Sequence, residues 1–245
     1  MEIITSINNQ LIKDINQLRQ KKIRTIKKQF IVEGIHLTEE AYKNNLLKIV
    51  LATDDEYLKK FVNIRCIKVT EQIIEKLSTT TSPQPVIGVV DMIDNRLQKS
   101  NKYLVLDGIN DPGNLGTIIR TSLALGINNL ILSHNTVDVY NEKVLRATQG
   151  AIFKANIYYC ELSDIYPTLK EQNIKIITTS LKAKKELKDL AKFDSFALVV
   201  GNEANGVSKL SLDNADELVI IPIKNDIESL NVAVATSIIL YSLLN

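Results

Sequence analysis

Asn114, Arg120, Glu203, Ser229 and Asn231 supply amide, guanidinium, carboxylate and hydroxyl groups, and each lies just beyond an apolar, strand-like run. A guanidinium stays charged at any ordinary pH and presents five donors that suit a phosphate or a developing oxyanion. Amides and a hydroxyl suit a sugar or another polar ligand. The first run is Asp107-Gly-Ile-Asn-Asp-Pro-Gly-Asn-Leu-Gly-Thr-Ile-Ile-Arg120, after the strand Leu104-Val-Leu106. Gly108, Pro112, Gly113 and Gly116 read as a tight loop ahead of a helix from Thr117 to Leu125. Such a strand-to-helix turn exposes backbone N–H groups to an anion or polar ligand, or it is a plain structural turn. It has neither the Gly-Lys-Ser/Thr of a phosphate-binding loop nor a Gly-x-Gly-x-x-Gly fingerprint. A bend at Gly116 would bring Asn114 and Arg120 together.

The second run, Leu198-Val-Val-Gly-Asn-Glu-Ala-Asn-Gly-Val-Ser208, puts Gly201, Glu203 and Gly206 straight after a strand. Glycine lets a ligand approach the backbone there, and Glu203 is either a site carboxylate at the strand's carboxyl edge or a helix cap. In the third run, Ile221-Pro-Ile-Lys-Asn-Asp-Ile-Glu-Ser-Leu-Asn-Val232, Ile221-Pro222 closes a strand and Glu228 to Asn231 opens the last helix. Ser229 or Asn231 serves as the N-cap of that helix or as part of a site.

These runs need a scaffold that brings strand ends together. From Tyr103 onward, apolar strands at Tyr103 to Leu106, Asn129 to Leu132, Ala155 to Tyr159, Lys175 to Thr178, Phe196 to Val200 and Leu218 to Ile221 alternate with helical stretches. That pattern fits a parallel sheet covered on both faces. Upstream lies a smaller α/β unit. Its helix over residues 9–20 is capped by Asn8 or Asn9 and carries Leu11, Ile12, Ile15 and Leu18 at helical spacing. Strand-like and helix-like runs then alternate up to Pro85-Val-Ile-Gly-Val-Val90. The expected organisation is a domain over 1–95, a polar linker over 96–102 and a second domain over 103–245. The last segment, Leu230 to Leu244, is apolar on nearly every side, so something must bury it, and a second subunit is one candidate.

With 45% hydrophobic and 24% charged residues the chain can fill its cores, and no apolar run reaches membrane-spanning length. The N-terminus has no signal-peptide pattern, so a soluble, cytoplasmic protein is expected. Cys66 and Cys160 stand alone in apolar contexts and read as buried thiols; no metal site is legible. The net charge of +2 hides an asymmetry, because residues 1–30 carry +5. That cluster, which includes Lys21, Lys22, Arg24 and Lys27, is a solvated helix face or a footprint for phosphates.

Together the three runs resemble the SpoU/TrmH family of the SPOUT superfamily, RNA ribose 2′-O-methyltransferases that use S-adenosylmethionine. The resemblance spans residues 103–245 and rests on Asn114-Leu-Gly116 with Arg120, Gly201-Asn-Glu203 with Gly206, and Ile221-Pro222 with Glu228 to Val232. Val137-Asp138 to Lys143, Arg146 and Gly150 to Phe153 resemble the connecting segment of the family. Phe30 to His36 sit in a region similar to its ribosomal-protein-like substrate-binding domain. The resemblance implies an α/β fold with a C-terminal knotted (trefoil) parallel-sheet SPOUT domain and a smaller N-terminal α/β RNA-binding domain. It also implies a homodimer that completes the site. Gly201, Ile221 and Leu230 would then hold the cofactor, and Asn114, Arg120, Glu203, Ser229 and Asn231 would form the catalytic set. Lys21, Lys22, Arg24, Lys27, Lys143 and Arg146 would contact RNA, ribosomal RNA being favoured over transfer RNA. The chain departs from the family pattern at Ala204 and Asn225, where glycine is usual, and at Ile223, where methionine is usual. In this reading Arg120 clamps a phosphate and steadies the emerging oxyanion, since guanidinium resists the deprotonation a base role requires. A silent RNA-binding module with the same fold is the alternative from another class; a nucleotide-dependent oxidoreductase lacks its glycine fingerprint.

Overall fold

The computed structural model describes residues 2–94, 96–225 and 228–245. Asp226 and Ile227 of the third run, and Asn95 at the expected domain end, lie outside the described residues. The chain divides into two compact units, 1–94 and 95–245.

The first unit contains β1 (Glu2–Ile4), α1 (Gln10–Gln17), α2 (Lys21–Lys27), β2 (Gln29–Glu33), α3 (Ile35–Lys43), β3 (Leu47–Ala52), α4 (Asp55–Leu58), β4 (Arg65–Val69), α5 (Glu71–Leu77) and β5 (Val86–Asp91). Its sheet runs β1-β4-β3-β5-β2. β1, β4 and β3 are parallel, while β5 lies antiparallel to both β3 and β2. Asn9 caps α1 by accepting from the Leu11 N–H, so Ile12 and Ile15 turn inward. They pack with Ile73, Ile74 and Leu77 of α5 on Ile31, Leu51, Ile67 and Ile87 of the sheet. The opposite face is covered by α3 through Leu37, Thr38 and Ala41.

In this unit the basic cluster separates into two kinds of residue. Lys21, Lys22 and Lys27 lie exposed on α2, whereas Arg24 is only 7% exposed. Its guanidinium donates to the carbonyls of Leu18, at 3.1 Å, and Arg19. Those acceptors are the carbonyls left over where α1 ends, so Arg24 ties α1 to α2 and is removed from the set expected to meet RNA. Close by, joined through Ser78, whose carbonyl takes the Arg19 guanidinium, Glu33 accepts from the hydroxyls of Ser78 and Thr80 and from the Gln84 N–H. Burial works against its charge, but these donors outweigh burial and hold its carboxyl below the usual range. The polar loop after α5 is thereby fastened to β2.

The second unit contains β6 (Lys102–Asp107), α6 (Pro112–Ala124), β7 (Asn129–Ser133), α7 (Glu142–Thr148), β8 (Asn156–Cys160), α8 (Leu162–Glu171), β9 (Lys175–Thr179), β10 (Lys185–Glu186), β11 (Phe196–Gly201), α9 (Lys209–Asn214), β12 (Glu217–Ile220) and α10 (Val232–Leu244), with short 3-10 turns at Ala151–Lys154 and Leu187–Asp189. Its seven strands, ordered β10-β12-β9-β11-β6-β7-β8, are all parallel. Tyr103, Val105, Ile131, Ala197 and Val199 meet Ile165, Tyr166 and Leu169 of α8 on one face. Alternate residues face the other way, where α6, α7 and α10 pack. The run 96–102 is fastened to this unit. Leu97 packs on its core, the Ser100 N–H donates to the Tyr103 hydroxyl at 2.8 Å, and that hydroxyl donates to the Gln98 carbonyl at 3.0 Å. Cys160 is buried, and burial pushes its thiol up to about 11, so it is not a nucleophile at neutral pH. No helix among the described residues is long and apolar enough to cross a membrane.

Candidate active site

The first two polar runs emerge side by side at the carboxyl edge of the parallel sheet, because β6 and β11 are paired in register and Gly201 lies opposite Asp107, while the third, from β12 two strands away from β11, reaches them where α10 packs on α6. α6 begins at Pro112, with Asp111 as its N-cap accepting from the Asn114 N–H at 2.7 Å. The expected loop over 112–116 is therefore the first turn of the helix. Asp before Pro is the N-cap and first-helical-position pair that marks a helix start, and this signal outweighs the glycines. Gly116 produces no bend. A Cβ there would meet Ala147 Cβ at 2.4 Å and the Val144 carbonyl at 2.8 Å, so the residue allows α7 to approach closely. On a continuous helix six residues turn through about 600°, which places Arg120 roughly 120° around from Asn114.

Asn114, Glu203 and Asn231, one from each run, meet in a hydrogen-bonded chain. Asn231 accepts from the N–H groups of Ala233 and Val234 as the N-cap of α10, and its Nδ2 donates to Asn114 Oδ1 at 2.9 Å. Asn114 Nδ2 then donates to Glu203 Oε1 at 3.0 Å, and Glu203 lies 3.4 Å from the backbone nitrogens of Asn110 and Asp111. Each amide is oriented by the one before it, and the chain ends on a carboxylate at the amino end of α6, where the helix dipole favours negative charge. Glu203 thus accepts from the backbone leading into α6, a helix far away in sequence. Asn231 fills the N-cap role left open for it and also reaches Asn114. Ser229 is exposed and Leu230 half-buried just ahead of this cap.

The Glu203 loop is secured at both ends by residues that sequence reasoning did not single out. Asn202 donates to the Gly108 carbonyl at 2.9 Å and accepts from the Ala204 and Asn205 N–H groups. Buried Asp107 accepts from the Ser208 N–H at 2.7 Å and the Ser211 hydroxyl at 2.6 Å, with the Tyr166 hydroxyl 2.6 Å from Ser211 Oγ. Burial and nearby negative charge keep Tyr166 protonated. Ser208 as N-cap of α9 is the one part of this clamp with a sequence signature. Gly201 is required by packing, since a Cβ there would lie 2.3 Å from the backbone of Gly206 and Val207. The substituted positions fit their loops. Ala204 is not among the residues with positive φ, and Asn225 has φ 62°, which asparagine tolerates.

Arg120 lies away from this chain, on a second surface. It lines an apolar cleft with Thr117 and Thr121 of α6, Ile221 and Pro222 of the third run, and Ile238 and Tyr241 of α10. Val234, Ile238 and Tyr241 form an exposed stripe on α10, at 49%, 41% and 63%. The opposite side of α10 is buried through Ala233, Thr236, Ile239, Leu240 and Leu243. Lys143 is exposed on α7, while Arg146 is half-buried and has its own partner within the fold.

Residues 101–241 match the SpoU rRNA methylase family, and residues 9–88 match the MRM3-like substrate binding domain. The chain belongs to the SpoU rRNA methylase family. Among relatives in that family, the 23S rRNA (guanosine(2553)-2'-O)-methyltransferase RlmP of Bacillus subtilis is 36% identical over 246 residues, covering 99% of each chain. The 23S rRNA (guanosine-2'-O-)-methyltransferase RlmB of Blochmanniella floridana is 30% identical over 235 residues, 86% of this chain and 92% of the relative. The AdoMet-bound rRNA methyltransferase from Sinorhizobium meliloti superposes with a TM-score of 0.86 at 30% identity, covering 99% of this chain and 97% of the other. In this SpoU methylase the five polar residues expected from sequence divide into a hydrogen-bonded trio, a separate arginine and the exposed Ser229.

Proposed function

We propose that this protein transfers a methyl group from S-adenosylmethionine to a ribose 2′-hydroxyl of ribosomal RNA in the cytoplasm, with a guanosine of the large-subunit RNA as the target its relatives suggest. The observation that carries this reading is the Asn231–Asn114–Glu203 chain, which joins all three polar runs at the sheet's carboxyl edge in a member of this family. The residues fit the cofactor. Ile221 and Leu230 offer half-buried apolar surface, and a Cβ on Gly206 would meet no atom within 4 Å, so the backbone of that loop lies open to a ligand. S-adenosylmethionine supplies an electrophilic sulfonium methyl group when bound. Gly201, Ile221 and Leu230 hold it, and Asn114, Ser229 and Asn231 orient the ribose with the donors and acceptors that the trio leaves over. Arg120 binds the adjacent phosphate and stabilises the oxyanion that develops as the hydroxyl proton passes to solvent water.

The same reading includes a homodimer. An exposed apolar stripe beside Arg120 fits a second copy of this chain, which would carry one protomer's arginine to its partner's trio. Knotted threading also belongs to it: β12 inserts between β9 and β10, and α10 returns to α6 and β11.

The test is incubation with S-adenosylmethionine and unmodified transcripts of 23S ribosomal RNA and transfer RNA, followed by mapping of ribose methylation. A single 2′-O-methyl nucleotide in the ribosomal transcript is expected; methylation of a base, or of the transfer RNA alone, would refute the assignment.

Lys21, Lys22 and Lys27 bind phosphates of the RNA from the first unit in this reading. Replacing all three with glutamine lowers the slope of log affinity against log salt by about 2, because each phosphate left without its lysine takes roughly 0.7 to 0.9 from that slope. An unchanged slope would show that α2 does not meet RNA. Arg24→Gln behaves differently: it costs about 1–3 kcal/mol of stability, read as a lower melting temperature, because it strips buried carbonyls of their donor.

A further inference from the structure

His134 follows the last residue of β7, at the carboxyl edge where the polar runs emerge. Its imidazole is exposed and lies against the Tyr159 ring, with centroids 6.4 Å apart and planes 13° from parallel. The support beneath it is rigid. The Tyr159 hydroxyl donates to the Val137 carbonyl at 3.0 Å and accepts from the Val139 N–H at 3.2 Å, and burial keeps it protonated. Around His134 the chain is fixed too: the hydroxyls of Ser133 and Thr136 donate to the Leu106 carbonyl, and the Val137 N–H donates to the Ile109 carbonyl at 2.9 Å. An exposed side chain ordinarily samples several rotamers, yet this ring lies nearly parallel to a fixed partner and offset from it.

Its position relates it to the reaction. The Gly108 N–H donates to Ser133 Oγ, and the Gly108 carbonyl accepts from Asn202, the neighbour of Glu203. The same loop ends at Asn141, the N-cap of α7, whose next turn exposes Lys143. A ring face, a cation on the first turn of the helix that follows its loop and the Asn231–Asn114–Glu203 trio joined to it through Gly108 offer in turn the partners that a base, a phosphate and a sugar of a single strand require.

We propose that His134 is a stacking platform for an unpaired nucleobase of the RNA substrate, beside the nucleotide whose ribose is methylated. This rests on the methylation reading and adds a subsite that positions the strand without reading base identity, since every base has a stacking face.

The test compares His134→Ala and His134→Phe with the parent protein, using an unmodified 23S ribosomal RNA transcript and S-adenosylmethionine. For His134→Ala, the transcript Kd and KM rise about tenfold. Its kcat at saturating RNA and its cofactor affinity stay within about twofold of the parent. His134→Phe, which retains a ring face, restores transcript affinity. Parental RNA affinity in His134→Ala overturns the proposal. So does failure of phenylalanine to restore it, or a matching fall in cofactor affinity, which would assign the ring to the cofactor's adenine. If the parent protein bound the transcript but transferred no methyl group, the methylation reading would fall while the Ala-to-Phe contrast in Kd still decided the stacking.

Discussion

Arg120→Ala lowers the turnover of methyl transfer by about 10²- to 10³-fold, the usual cost of removing one donor from a developing oxyanion. S-adenosylmethionine binding, measured by calorimetry, stays within about twofold, because the contacts assigned to Gly201, Ile221 and Leu230 are backbone and apolar ones that need no guanidinium, even though Arg120 shares a cleft with Ile221. The side chain is exposed on α6 and its removal leaves no buried group unpaired, so the melting temperature holds. Arg120→Lys recovers only part of the rate, since an ammonium lacks the planar fork that grips a phosphate. The separation of Arg120 from Asn114 gives a sharper result. If the arginine serves a partner's trio, mixing the inactive Arg120→Ala and Glu203→Ala proteins under subunit exchange restores about a quarter of the activity, from the one statistical site in four that is complete. No recovery would mean that Arg120 acts within its own protomer.

Gly201→Ala is the second large effect, and it acts through packing. The new methyl would stand 2.3 Å from the backbone of Gly206 and Val207, and backbone held by the Asn202 and Asp107 hydrogen bonds has no rotamer to change. The loop must move instead, at about 1–3 kcal/mol of stability. That movement shifts Glu203, loosens its hold on Asn114 and opens the cofactor cradle. A fall of about 10- to 100-fold in S-adenosylmethionine affinity is expected, about 1.4 kcal/mol per tenfold. Cofactor affinity equal to that of the parent would show that the Gly201–Ser208 loop does not hold the ligand. Ala204→Gly is the contrast: position 204 has no positive φ, so restoring the family's usual glycine gains nothing in binding.

Most strands and several helices were legible because their burial is periodic. The six strands expected between Tyr103 and Ile221 all form and differ by one residue at one or both ends. Among the elements that escaped, β1 and β10 are edge strands of three and two residues, too short for any period to register, and α2 is a mostly polar helix without a side-chain cap. Arg24 shows why charge alone misleads: Lys21, Lys22, Arg24 and Lys27 look equivalent in a run of bases, yet only the position facing the end of α1 is drawn inward.

By itself the sequence determined the chemistry available and where it attaches: three polar runs, each at the end of an apolar strand, in a combination specific enough to indicate the family. It could do so because strand burial and glycine-rich turns are local properties. Only the tertiary structure decided which groups act together. Glu203 and Asn114 are 89 residues apart and Asn114 and Asn231 are 117, and they meet because β6 and β11 pair in register and α10 folds back on α6. Arg120, only six residues from Asn114, faces another surface because the helix between them is unbroken. Spacing along the chain sets the direction of a side chain only within one element; between elements, sheet register and helix packing set it.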